Sequence, residues 1–521
     1  MTCADADSAC EDEPPISEPA AERLIRAICF KTGPPGTIGA ELEWLVRDRS
    51  DPSLTVSFSR IRDVLRQLER PGALPGAGLL TLEPGGQVEL STAPAKDLSD
   101  CVAAASGDLA VLHEAFGEAG LVLTGHGIDP LRRPSRLLQS PRYAAMEEYF
   151  DRDGHWGRLM MCSTASVQVS VDAGLEDDGA SGLPFRWRLL HALGPVLVAA
   201  FANSPLRRGR PTGWKCTRQL VWARLDPSRT RPPGGAEPCW PGDPQAADGL
   251  DAREDWVRYA MDAEVLCVRR PDGQPWTVPA GLTFRDWLRG ADRHRAARYR
   301  ADRRSAGQHG AGQHRAGQHG AGQHGAGRPR AAGEAPADPA ALPAGPTADD
   351  LSYHLSTLFP PVRPRGHLEL RMIDAQAGDG WVVPVAVVAS LADDPVAADA
   401  AMMAAEPVWR APGRHPRQHR EPRPAPRGVR LSPARHVLPQ RAAPAGGASP
   451  WLRAARLGLA DPVLARAALQ CFEAAEASLA RSGAPPAVRN AVADFADRYV
   501  RRGRCPADDF LDTIGNPEGR S

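Results

Sequence analysis

Thr37-Ile38-Gly39-Ala40-Glu41-Leu42-Glu43-Trp44-Leu45-Val46 alternates with a period of two, the repeat of a β-strand. Ile38, Ala40, Leu42, Trp44 and Val46 share one face, and Glu41 and Glu43 project together from the other. Two neighbouring carboxylates repel unless positive charge lies between them. Hard divalent cations such as Mg²⁺ supply it, since they take oxygen ligands and share them with substrate phosphates. Taken alone, the pair reads as a solvent-washed sheet face.

Working outward, three more segments carry the same split. Leu79-Leu80-Thr81-Leu82-Glu83-Pro84-Gly85-Gly86-Gln87-Val88-Glu89-Leu90-Ser91 reads as two short strands joined by a Pro-Gly-Gly turn. That hairpin puts Thr81, Glu83, Gln87, Glu89 and Ser91 on one face. Cys162 to Asp172 is expected to be a strand with Thr164, Ser166, Gln168 and Asp172 opposite Ala165, Val167, Val169 and Val171. His367 to Asp374 places His367, Glu369 and Arg371 together. Five glutamates on one sheet face call for bound cations, because like charges across strands destabilise the pairing. Arg371 reads either as a partner for a transferring phosphoryl group or as a salt bridge to Glu369. Cys162 reads as a small buried residue or as a group facing the site.

These motifs resemble the glutamate–cysteine ligases of the plant and proteobacterial type. Within that family the likeness is to the actinobacterial members that serve ergothioneine biosynthesis. It rests on Gly39–Glu43, Leu82–Ser91, Pro141-Arg142-Tyr143, Met160–Thr164 with Gln168 and Asp172, and His367–Arg371. It covers most of residues 20–290, 348–410 and 451–515. The resemblance implies an α+β, glutamine-synthetase-like carboxylate–amine ligase fold, an antiparallel sheet of about six strands backed by helices. It also implies ATP-dependent joining of the glutamate γ-carboxylate to the amine of cysteine through a γ-glutamyl phosphate. The metal ligands implied are Glu41, Glu43, Glu83, Glu89 and Glu369, holding two or more Mg²⁺ ions with Mn²⁺ as a substitute. Gln168 and Arg371 fall at the nucleotide, with Arg371 as the catalytic cation. Arg142, Met161, Thr164 and Arg218 fall at the amino-acid pockets, the two arginines where the α-carboxylate of glutamate needs a planar donor. Either arginine also reads as an ordinary surface residue.

Composition limits the alternatives. The chain has 521 residues, 63 basic against 63 acidic, and only three lysines (Lys31, Lys96 and Lys215). No Gly-x-x-x-x-Gly-Lys-Ser/Thr loop occurs, so ATP is not held as in a P-loop enzyme. No charged-then-apolar leader and no apolar run of ~18 residues is present, which predicts a cytoplasmic protein without membrane contact. Ten cysteines without a Cys-x-x-Cys pair predict reduced thiols rather than a disulfide or zinc framework.

The zero net charge conceals a division. Residues 290–330 and 410–441 each hold nine arginines, and the remainder carries 45 basic against 60 acidic residues. The first stretch contains four pentapeptides at 306–325, reading AGQHG with one Gly-to-Arg change. A Gly-rich five-residue period has no face to bury and predicts disorder. Its histidines, His309, His314, His319 and His324, read as a linker or as loose metal ligands. The expected organisation is a disordered 1–17, a core in two parts (18–289 and 348–409), inserts at 290–347 and 410–449, and a helical 450–521. Helices are predicted at Glu18–Phe30, Arg60–Leu68, Leu98–Phe116, Trp187–Asn203, Trp381–Leu391, Asp461–Ala480 and Pro485–Arg501 from apolar residues spaced three and four apart. Three other readings stay open: a ligase joining glutamate to a different amine, a non-enzymatic metal or nucleic-acid binder that uses the inserts, and a degraded ligase inactivated by them. Neither the nucleic-acid partner nor an oligomeric state is specified by any motif.

Overall fold

In a computed structural model of the chain, residues 14–152, 154–234, 251–271, 273–290, 345–410 and 449–515 are described. The expectations for residues 1–13, the pentapeptide repeats and the bulk of both basic stretches lie outside them. The chain divides into two compact units, one of 1–27, 140–149 and 257–358, the other of 28–139, 150–256 and 359–521.

The second unit contains the sheet. Its strands are β1 (Ile38–Asp48), β2 (Leu79–Leu82), β3 (Val88–Ser91), β4 (Leu121–Thr124) and β5 (Ser166–Val171). A separate two-stranded hairpin, β6 (Leu206–Arg207) and β7 (Arg210–Pro211), precedes β8 (Val362–Pro364) and β9 (Leu368–Asp374). The order β2-β3-β1-β5-β9-β8 is antiparallel throughout, and β4 pairs with the far end of β1 as a seventh strand. The alternation of β1 is the reason it sits centrally: Ile38, Ala40, Leu42, Trp44 and Val46 are each at most 3% exposed. Helices Leu98–Glu118, Leu183–Ala200 and Val382–Asp393 pack against β1, β4, β5 and β9. The last of these, Val-Val-Pro-Val-Ala-Val-Val-Ala-Ser-Leu-Ala-Asp, is buried on all sides up to Ala392. This is the helix-backed antiparallel sheet that the alternation and the resemblance predict.

All seven predicted helices form, with ends shifted by a few residues. Asp97 and Asp461 cap two of them by accepting from backbone N–H groups in the first turn. In the C-terminal region, Pro462–Arg481 and Pro486–Arg498 pack with Leu183–Ala200, Val382–Asp393 and Pro395–Arg410, and the rings of Phe201, Phe472 and Phe495 meet at 5.2–6.0 Å. Among the described residues no single helix is long and apolar enough to cross a membrane.

In the first unit, the described residues form helices and connecting loops. It contains Ala348–Leu355, opened by a Thr347/Asp350 capping box. His354 stacks on Phe284 at 4.8 Å and contacts Ala260 O at 2.9 Å.

One expectation is corrected. The run from Cys162 does not begin a strand: Trp156–Ser163 is helical, and β5 starts at Ser166. The helix end is tied down by side chains that the local pattern does not reveal. Thr164 Oγ1 donates to Met160 O at 2.7 Å, and Gln87 Nε2 donates to Met161 O and Thr164 O at 3.2 and 2.8 Å.

Candidate active site

Register brings the polar residues of six strands to one sheet face. On β1, Glu43 lies directly across from Glu89 on β3, and Glu41 lies across from Ser91 on one side and Gln168 on the other. Thr81 lies opposite Glu89 and donates to its Oε1 at 2.7 Å. Glu83 stands at the turn of the hairpin, its N–H on Gln87 O at 2.9 Å. The turn is tight: Gly86 has φ +83°, and a Cβ on Gly85 would lie 2.3 Å from Cys162 O. Close approach of the hairpin to the helix Trp156–Ser163 thus fixes where Glu83 and Glu89 stand. Cys162 itself is buried in that helix.

A line of hydrogen bonds crosses the face from β8 to β1. Arg363 forks onto Glu369, Nε to Oε2 at 2.6 Å and Nη2 to Oε1 at 3.1 Å. Arg371 Nη1 donates to Glu369 Oε2 at 3.1 Å and also to Gln168 Oε1. Gln168 Nε2 then donates to Glu43 Oε1 at 2.8 Å, and the Ser166 N–H to Glu43 Oε2 at 2.9 Å. Arg371 is therefore salt-bridged to Glu369, yet only one edge of its guanidinium is used. Its Nε is buried and has no acceptor.

The carboxylates along this line are in opposite electrostatic states. Burial, then the charges of Glu369 and Glu89, push the Glu41 carboxyl up to about 8. Burial and the charge of Glu43 push Glu89 up to about 7. Burial raises Glu43 as well, against the pull of Arg218 and Arg371. Burial acts to raise Glu369 too, but the guanidiniums of Arg363 and Arg371 hold it well below the usual carboxylate range.

Half-buried carboxylates with too little positive charge beside them are a donor set for a hard cation, so Glu41, Glu43 and Glu89 fit Mg²⁺ by chemistry. Among the described residues, no three His, Cys, Asp or Glu side chains form a ready-made cage. Mg²⁺ ordinarily takes one or two carboxylates and completes its shell with water and substrate phosphates, which suits an open face of this kind. Glu369 differs from the other carboxylates. Its Oε2 accepts from both arginines and its Oε1 from one, leaving one of its roughly four lone-pair positions open.

Four candidates remain. Met161 is buried in its helix, and the Thr164 hydroxyl is used at the helix end. Arg218 is 3% exposed, and its Nη2 donates to Arg371 O at 2.7 Å. Arg218 Nη1 lies 4.0 Å from Asp374, a buried carboxylate that also accepts from Asn203 N–H, Ser204 Oγ and Cys216 Sγ. It is not a surface arginine. Arg142 belongs to the first unit, where it donates to Ser356 Oγ and O at 3.2 and 3.3 Å and lies 4.9 Å from the Tyr353 ring. Sequence reasoning missed Arg363. Its strand, Val362-Arg363-Pro364, is three residues long and follows Pro360-Pro361, so it shows no alternation to read.

The chain is similar to known glutamate–cysteine ligases. The family model described as glutamate–cysteine ligase family 2 (GCS2) matches residues 37–428. Glutamate–cysteine ligase EgtA of Mycobacterium tuberculosis (strain H37Rv) is 35% identical over 515 residues, 98% of this chain and 93% of that protein. Glutamate–cysteine ligase EgtA of Mycolicibacterium smegmatis is 35% identical over 507 residues, 96% and 93% of the two chains. The chloroplastic glutamate–cysteine ligase of Medicago truncatula is 29% identical over 312 residues, 60% of this chain and 49% of that protein. A match of this length, over a sheet face with these carboxylates and arginines, places the chain in glutamate–cysteine ligase family 2.

Proposed function

We propose that this enzyme uses ATP to join the γ-carboxylate of glutamate to the amine of cysteine, giving γ-glutamylcysteine for ergothioneine biosynthesis in the cytoplasm. The observation that carries the reading is Arg371: a half-buried guanidinium, anchored through Nη1 on Glu369 and Gln168, with a buried Nε left for an anion beside a carboxylate-lined face.

The reaction needs that pairing. A carboxylate and an amine do not condense in water, so the carboxylate must first carry a leaving group. The γ-carboxylate oxygen attacks the γ-phosphorus of ATP, ADP departs, and γ-glutamyl phosphate forms. The amine of cysteine then attacks the acyl carbon and phosphate leaves. Phosphoryl transfer demands positioning and cationic stabilisation more than covalent help. Glu41, Glu43, Glu83, Glu89 and Glu369 are the proposed Mg²⁺ ligands, for two or more ions with Mn²⁺ as substitute. Bound Mg²⁺ neutralises the phosphate oxygens. Most of that task falls to the first four carboxylates, because Glu369 is largely satisfied by guanidiniums. Arg371 offers its free edge to the transferring phosphoryl group, and Gln168 holds both Arg371 and Glu43 in line. Arg142, Met161, Thr164 and Arg218 are proposed at the amino-acid pockets, Arg218 through its hold on β9.

ADP release with Mg²⁺, ATP and glutamate, adding one amine at a time, tests the assignment. Cysteine is expected to give γ-glutamylcysteine. Product with another amine and none with cysteine would reassign the acceptor.

A further inference from the structure

We propose that Arg363 is a positioning residue for catalysis, acting through Glu369 to keep one edge of Arg371 open to the transferring phosphoryl group. The proposal rests on the ligase reading and adds a residue to it.

The geometry is specific. Arg363 lies directly across from Glu369 in the β8–β9 ladder, is 6% exposed, and meets a carboxylate with no exposure at all. Both of its contacts with Glu369, at 2.6 and 3.1 Å, are those of a planar fork on two oxygens, which a lysine cannot reproduce. Glu369 is consequently shared: Arg363 occupies one position on each oxygen, and Arg371 reaches only Oε2, through Nη1. Arg365 stands 3.7 Å from Oε1 on the exposed side.

This sharing sets what Arg371 can do. A buried carboxylate facing a single guanidinium draws it into a two-pronged pair, because that satisfies both oxygens. Arg371 Nε would then turn to Glu369 and be lost to an incoming anion. With Arg363 already on both oxygens, Arg371 stays attached at one nitrogen, and Nη1 also reaches Gln168 Oε1. Charge adds to the effect. Two guanidiniums on one carboxylate leave this end of the face net positive, next to a region rich in carboxylates. Without Arg363 that surplus disappears where phosphate charge must be met.

The test is steady-state and single-turnover kinetics of the full chain with Mg²⁺, ATP, glutamate and cysteine. Arg363→Lys keeps charge and volume near the site but cannot fork, and is expected to lower kcat by about 10²-fold while the KM for glutamate stays within a few-fold. Arg363→Gln is made in the wild-type and the Glu369→Gln backgrounds, the latter to avoid stranding a buried charge. If Arg363 acts through Glu369, the double variant is no slower than Glu369→Gln alone. Arg363→Lys with wild-type kcat would overturn the proposal, as would multiplicative losses in the double variant. A wild-type protein that releases no ADP with glutamate and any amine would instead overturn the ligase reading, and the same variants then test Arg363 by Mg²⁺–ATP affinity. There, loss in Arg363→Lys supports the positioning role and unchanged affinity contradicts it.

Discussion

The two ends of one sheet face treat the same side chain in opposite ways. At the β1–β3 end, Glu41 and Glu89 are pushed up to about 8 and about 7, because burial and neighbouring carboxylates act together. At the β9–β8 end, Glu369 is more deeply buried, yet Arg363 and Arg371 hold it low. Gln168 joins the halves by donating to Glu43 and accepting from Arg371. Burial alone therefore does not set the state of a carboxylate; the count of nearby cations does. One end carries its positive charge covalently as arginine, and the other has fewer fixed cations beside its carboxylates.

The difference can be broken from either end. Arg371→Gln removes the fixed cation and is expected to lower kcat by about 10³-fold, with no recovery at raised Mg²⁺. Full recovery with Mg²⁺ would erase the distinction between the two ends. Glu43→Gln or Glu89→Gln removes a charged ligand, and an expected loss of about 10²-fold in kcat should come with a higher Mg²⁺ requirement. An unaltered Mg²⁺ titration in both variants would return these carboxylates to a plain solvated face.

Two smaller effects concern what holds the face and what does not. Gly85→Ala forces a methyl to within 2.3 Å of Cys162 O, so thermal melting should show a loss of ~1–3 kcal/mol. An unchanged Tm would mean the hairpin does not depend on that approach. Replacing Ala306–Gly327 by a short Gly/Ser linker should leave melting and kcat nearly unchanged, because doubling a flexible loop costs only ~0.6 kcal/mol. Loss of activity with the melt intact would bring the repeat into the site.

What the sequence disclosed follows from which forces are local. The period-two runs of β1, β3 and β9 announce both the sheet and its carboxylate face, since alternate residues must face opposite sides. The strand expected from Cys162 starts only at Ser166, because Cys162 and Ser163 close a helix whose end is fixed by Gln87, more than seventy residues earlier. Strand β8 was hidden by brevity and by its prolines. Arg363 escapes the sequence pattern and Arg218 is singled out only through the resemblance, for what each holds lies far along the chain: a carboxylate across a ladder, and the backbone of β9. Among sixty arginines, nothing in the local pattern separates these two from solvent-facing ones.

The central claim is that this face activates a carboxylate by phosphorylating it, and isotope transfer tests it most directly. Glutamate labelled with ¹⁸O in the γ-carboxylate is incubated with Mg²⁺, ATP and cysteine, and the released phosphate is analysed by mass spectrometry. The account predicts one ¹⁸O in each phosphate, in step with γ-glutamylcysteine and ADP. Product formed with unlabelled phosphate would contradict it.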